Sequence, residues 1–229
     1  MKKFILFVFL FSISFSIKAQ ENPELGAWYM YFGNLRFRDS PWAIHGEIQY
    51  RNHNIIGDLE QLLLRTGMQY NLTDGKASFL IGYGNITTDI PGEVSDPFSE
   101  NRLYQEAILR QNVGRVGIMH RYRYEQRWTE SIEFRTRFRY AIFINIPLNT
   151  KELSEKGSWY IQLYDELFIN GETLDGKVSY FDRNRLYLGL GKRLNSNLAI
   201  QFGFMDQKFN QGSKAQLQFS AFHQLYNRK

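Results

Sequence analysis

From Gly26 to Tyr226 apolar and polar residues alternate with a period of two, in segments of about ten to thirteen residues separated by turn formers. The pattern predicts strands at Gly26–Phe37, Trp42–Arg51, Glu60–Asn71, Ala77–Thr87, Asn101–Asn112, Arg115–Trp128, Ile132–Asn145, Ser158–Ile169, Asp182–Leu194, Asn197–Asp206 and Lys214–Tyr226. Asp74-Gly75, Gly114, Asp175-Gly176 and Asn195-Ser196-Asn197 stand between them and tolerate the positive φ that tight turns need. Almost nothing keeps a helical period. Soluble sheets use strands of about five or six residues, whereas about nine to eleven tilted residues cross a bilayer, and these segments match the second length.

Connection lengths point the same way. The even-numbered connections Asn52–Leu59, Thr88–Glu100 and Asn170–Phe181 are long, and most odd-numbered ones are tight, as at Gly114 and Asn195-Ser196. A long Ile146–Gly157 and a short Thr129–Ser131 depart from this rule. Long loops outside and tight turns inside are the habit of outer-membrane barrels, whose single-chain bacterial forms have an even number of strands. The expected fold is therefore all-β: an antiparallel up-and-down transmembrane β-barrel of ten or twelve strands after an N-terminal signal peptide. Eleven segments resolve to an even number if Gly26–Phe37 does not span, or if a further strand lies near Gly176–Tyr180.

The stretch HRYRYEQRWTESIEFRTRFRY, His120 to Tyr140, shows what alternation does to charge. Arg121, Arg123, Glu125 and Arg127 share one parity, and Tyr122, Tyr124 and Trp128 the other. In the next segment Glu133, Arg135, Arg137 and Arg139 alternate with Ile132, Phe134, Phe138, Tyr140, Ile142 and Ile144. On a helix these arginines would scatter around the axis. On a hairpin turning at Thr129-Glu130-Ser131 they fall on one face, with Arg127 opposite Glu133 and Glu125 opposite Arg135. That register leaves Arg123/Arg137 and Arg121/Arg139 as like-charged pairs, whose neutralisation must come from neighbouring strands, with Glu106 and Glu166 the obvious partners, or from a ligand. An arginine at mid-bilayer costs about 2–4 kcal/mol, so the charged face is expected in the lumen. Arg183 and Arg185 share a face in the ninth segment and join the same candidate network.

Composition sharpens this picture. Aromatics reach 16% and cysteine is absent, so disulfides, thiolate metal sites and a cysteine-linked lipid anchor are excluded. MKKFILFVFLFSISFSIKA has the basic start, short apolar core and small final residue of a cleaved secretory signal, giving residues 1–19 as signal and 20–229 as one barrel domain. Lys2, Lys3 and Lys18 would leave with it, so 25 basic residues would face 23 acidic ones, too even a balance for a polyanion binder. Nucleic acid is not an expected partner. The expected location is the outer membrane of a Gram-negative bacterium, with membrane lipids and the barrel-insertion machinery as partners. The closing Leu-Tyr-Asn-Arg-Lys lacks the terminal aromatic that such machinery favours.

Catalytic patterns are thin. His45, His53, His120 and His223 form no metal-binding spacing, and His223 differs in parity from nearby Ser220. Asp165-Glu166 and Glu125/Glu133 each have arginines to pair with, and Gly189 and Gly191 sit in a strand with no helix after them to hold a phosphate. No enzyme activity, cofactor or metal is expected.

The blocks HRYRYEQR (120–127), RYAIFINIPLN (139–149), YDELFIN (164–170) and FDRNRLYLGLGKR (181–193) resemble the recurring blocks of domain-of-unknown-function family 2490, secreted proteins of outer-membrane-barrel type. The resemblance runs from about Glu24 to the C-terminus and implies a barrel of unestablished function, with no catalytic residues to carry over. The expected role is a barrel with an arginine-rich lumen, either structural or passing or binding small anionic or amphipathic molecules. Two alternatives stand beside it: a soluble periplasmic β-barrel binding protein, with Arg121–Arg139 on its outside, and an outer-membrane acyl hydrolase.

Overall fold

The computed structural model describes residues 25–90, 96–129, 134–171 and 180–227. Among them eleven strands close into a single barrel. They are β1 (Gly26–Arg36), β2 (Trp42–Asn52), β3 (Leu59–Asn71), β4 (Ala77–Thr88), β5 (Phe98–Val113), β6 (Val116–Thr129), β7 (Arg135–Pro147), β8 (Trp159–Asn170), β9 (Phe181–Arg193), β10 (Leu198–Phe209) and β11 (Gly212–Tyr226). Each segment expected from the alternation is a strand, with its ends displaced by no more than three residues. The signal segment 1–19, Glu133, the Asp175-Gly176 turn and nearly all of the additional strand suggested near Gly176–Tyr180 lie outside the described residues.

The even strand count is corrected to eleven, and the antiparallel expectation holds at every seam but one. β1 is a full member of the ring and pairs parallel with β11, from Gly26 opposite Gln216 to Arg36 opposite Tyr226. A parallel closing pair is what an odd up-and-down ring requires, because its first and last strands point the same way. β1 consequently begins at one rim, here the first rim, and β11 ends at the other, the second rim.

Parity sets which side chain faces which side. On β9, Arg185, Tyr187, Gly189 and Gly191 turn inward while Leu186, Leu188 and Leu190 stand outside. On β2, Glu47, Gln49 and Arg51 turn inward against Ile44, Ile48 and Tyr50 outside. The barrel is thus inverted relative to a water-soluble domain: Glu47, Arg65, Glu125, Arg137 and Glu166 are buried, and Ile81 (64%) and Leu188 (57%) are exposed. Some polar groups on the outer wall bond one another. His120 Nδ1 meets Tyr140 Oη at 2.8 Å, and Asn184 donates to both oxygens of Asp165 at 3.1 Å.

One close approach depends on glycine. Where Gly67 of β3 faces Gly82 of β4, a Cβ on Gly67 would lie 2.6 Å from the Ile81 carbonyl oxygen and 2.8 Å from Gly82 Cα. Both are backbone atoms, so neither can rotate away. Gly67→Ala is expected to cost about 1–3 kcal/mol in urea unfolding, the usual range for overpacking. Gly46→Ala meets nothing within 4 Å and should stay within about 0.5 kcal/mol; equal losses at the two sites would refute the close-approach account.

Candidate functional site: an arginine lattice in the lumen

The inward parity of β2, β3 and β5 to β9 brings seven buried arginines (Arg51, Arg65, Arg102, Arg123, Arg137, Arg139, Arg185) and five buried glutamates (Glu47, Glu100, Glu106, Glu125, Glu166) into one space. Near the first rim Glu100 holds Arg127 with two bonds of 2.8 and 2.7 Å, and also holds Arg102. Asp182 accepts from Arg137 at 2.9 Å and from Arg183 at 3.2 Å. Deeper, Glu125 receives Arg137 and Arg139 at 2.6 Å each, and Glu106 receives Arg123 at 2.6 Å. Glu166 takes Arg139 and Arg121 at 2.6 Å, with Arg185 at 3.7 Å. Glu47 binds Arg65 at 2.6 Å and also accepts from Gln49. Charge-assisted forks of this kind are the strong members of the hydrogen-bond family.

Phe168 of β8 is the apolar centre of the lattice. Its ring is buried, and the guanidinium carbons of Arg139, Arg185, Arg137 and Arg183 lie 4.4, 4.5, 5.2 and 5.8 Å from its centroid. The negative face of the ring draws cations that would otherwise repel, at about 0.5–2 kcal/mol per contact.

The β6–β7 register differs from expectation by two residues. Glu125 stands opposite Arg137 rather than Arg135, and the like-charged pairs are Arg127/Arg135 and Arg123/Arg139. β6 ends at Thr129 and β7 begins at Arg135, and Glu130 and Ser131 of the expected turn lie outside the described residues. A shift of two leaves every side chain on its own face, so alternation cannot detect it. The observed register puts Glu125 within reach of two arginines of β7. Of the four arginines expected to need neutralising, Arg123 bonds Glu106, and Arg121 and Arg139 bond Glu166, whereas Arg137 is held by Glu125 and Asp182; Arg121 reaches Glu166 although it faces Ala141 across the hairpin. Arg135 has no ion-pair partner among the described residues. Glu47, Arg51, Arg65, Glu100 and Asp182 belong to the lattice but were not singled out, although alternation in β2 and β3 gives Glu47, Arg51 and Arg65 the lumen parity.

Above the lattice is a cavity of about 420 Å³ that extends towards the second rim. Trp28, Arg51 and Arg185 line its deep end, and Arg36, Arg110 and Arg193 line it near the rim. Arg193 is steadied by a 2.8 Å bond to the Leu153 carbonyl in the connection between β7 and β8. Ser220 and His223 project from opposite faces of β11; the serine is buried, and the imidazole bonds Tyr31 Oη at 2.9 Å on the outer wall. They therefore form no nucleophile–base pair.

Residues 25–218 match the family described as protein of unknown function (DUF2490), from β1 through β10 and into β11. No curated protein and no solved structure matches the chain. With nearly the whole barrel inside the matched range, the chain belongs to the DUF2490 family, and its fold is a closed, all-β barrel with a charged interior.

Proposed function

We propose that the protein is an outer-membrane β-barrel, exported by its N-terminal segment, whose lumen is closed towards the first rim by the arginine lattice and open as a vestibule towards the second. It binds small anionic or amphipathic molecules there and does not conduct them freely. Membrane lipids and the barrel-insertion machinery are its expected partners, and no residue is assigned a catalytic role. The observation that carries this reading is the inverted wall, with buried charge and exposed Ile48, Leu64, Ile81, Phe138, Leu188 and Phe202. Apolar surface of that extent is costly in water and ordinary against lipid. The soluble alternative would have Arg121–Arg139 outside, opposite to their placement here.

The test is fractionation of the native host, followed by gel mobility of the outer-membrane fraction with and without boiling. A heat-dependent shift in that fraction is expected. Recovery in the soluble periplasm with no shift would refute the reading. Cysteine at Phe138 should react with lipid-soluble reagents and cysteine at Arg139 should not; the reverse would mean that the faces are exchanged. Planar-bilayer recordings should show no steady porin-like current, and a large stable conductance would remove the closed-lumen part of the proposal.

A further inference from the structure

Three features of the vestibule have no use in a purely structural plug. The first is an unneutralised cation at its deep end. Nine arginines but only three glutamates line the cavity, and those glutamates pair with four of the nine: Glu47 with Arg65, Glu106 with Arg123, and Glu166 with Arg121 and Arg139. Arg51 has no carboxylate partner among the described residues. Its guanidinium donates to the Gln49 amide oxygen at 2.5 and 2.9 Å and to that of Gln61 at 2.9 Å, which leaves two of its five N–H groups unused. Arg185 bonds Gln207 at 2.6 Å and shares a distant Glu166 with two closer arginines. Both guanidiniums sit against one indole, 3.7 and 4.8 Å from the Trp28 ring centroid.

The second feature is an orphaned donor at the same place. Trp28 is buried and its indole N–H has no hydrogen-bond partner among the described residues. An unpaired buried donor is costly, so one beside a cation that lacks a carboxylate marks a place where an acceptor is wanted. The third is the departure of β1 from the polar lumen rule. Its inward positions Trp28, Met30 and Phe32 are apolar like its outward Tyr29 and Tyr31, and Phe32 stacks on Phe222 at 4.9 Å. This makes an apolar track along the cavity from its cationic deep end towards the second rim.

We infer that the vestibule binds an amphipathic carboxylate, a single acid group on an apolar chain or ring. The acid group lies against Arg51, Arg185 and the Trp28 N–H, and the apolar part follows Met30, Phe32 and Phe222 outward. One negative charge suffices because, of the two deep-end arginines, Arg51 is the one without a carboxylate among the described residues. The inference deepens the binding role proposed above and rests on the arginine face being inside.

The experiment uses the refolded full chain in maltoside micelles, with 4-phenylbutyrate as the probe and titration calorimetry as the readout. One phenylbutyrate should bind per barrel. The uncharged 4-phenylbutyramide should bind on the order of 10- to 100-fold more weakly, the value of a charge-assisted hydrogen bond. Arg51→Gln should lose phenylbutyrate affinity by a similar factor. The comparison of acid with amide needs no variant, so it stands even if Arg51→Gln fails to fold. Equal affinity for acid and amide overturns the cationic subsite, and inorganic phosphate binding as tightly as phenylbutyrate overturns the apolar track. No binding to a barrel that keeps its heat-dependent shift overturns the site while leaving the membrane reading intact. Acid-selective binding to a chain without that shift supports the site and overturns the membrane reading instead.

Discussion

Glu125→Gln should lower the unfolding free energy of the barrel by about 3–5 kcal/mol, the range for removing one partner of a buried ion pair. Glu125 is only 1% exposed and is the point where two strands of arginines meet. It accepts from Arg137 through Nη2 at 2.6 Å and Nε at 3.0 Å, and from Arg139 through Nη1 at 2.6 Å, while Arg123 stands 3.7 Å away. Glutamine keeps the volume and one acceptor but removes the charge. Arg137 retains Asp182 and Arg139 retains Glu166, so the lattice is weakened at its centre rather than dispersed. The loss is large because the guanidiniums stay in a space shielded from water, where repulsion is poorly screened. Urea unfolding followed by heat-dependent mobility measures it, and the double variant Glu125→Gln/Arg137→Gln should recover part of the loss. A change below about 1 kcal/mol would mean that water reaches Glu125 and that the lumen is not closed there.

Leu188→Arg tests the other face. Leu188 is near the middle of β9 and 57% exposed on the outer wall, directly opposite Leu163 of β8 and Phe204 of β10. In water, replacing an exposed leucine by arginine away from special contacts changes stability by about 0.5 kcal/mol or less. In a bilayer the same change costs about 2–4 kcal/mol near the midplane. Reversible unfolding of the wild type and Leu188→Arg from lipid vesicles reads the difference directly. A cost in the bilayer range supports the outer-membrane reading, and a negligible one would sink it. Asp165 marks where the outer wall is tolerant of charge, since its carboxylate already has two bonds from Asn184. Asp165 and Asp206 both face Leu186 and so lie diagonal to position 188 on the outer wall; Asp165 is held by Asn184, and the variant is therefore read in an Asp206→Asn background, where no free carboxylate meets the new guanidinium.

The two experiments separate the energetics of the inside from those of the outside. If Glu125→Gln is severe and Leu188→Arg mild, the chain is a charged-core barrel in water. If both are severe, the barrel lies in lipid. In either case the vestibule remains inside the ring, because the strand parity that places Arg51 and Trp28 there does not depend on the surrounding solvent.

Alternation by itself was enough to place all eleven strands and to put Arg121, Arg123, Arg137 and Arg139 on one face, since a side chain's face depends only on odd or even position along a strand. For the same reason Glu47, Arg51 and Arg65 were legible in the sequence, although nothing local marked them as more than polar residues of a strand. Alternation could not set the register of β6 against β7, because a slip of two residues preserves every face while changing each partner of Glu125. Nor could it count the ring: whether eleven strands close depends on the parallel contact of β1 with β11, residues about 190 positions apart, which no local pattern records. Partners more than one strand apart, such as Arg185 of β9 with Trp28 of β1 and Arg121 of β6 with Glu166 of β8, exist only once the ring is assembled. Sequence decided which residues face inward; closure of the ring decided which of them meet, and left Arg51 without a carboxylate among the described residues.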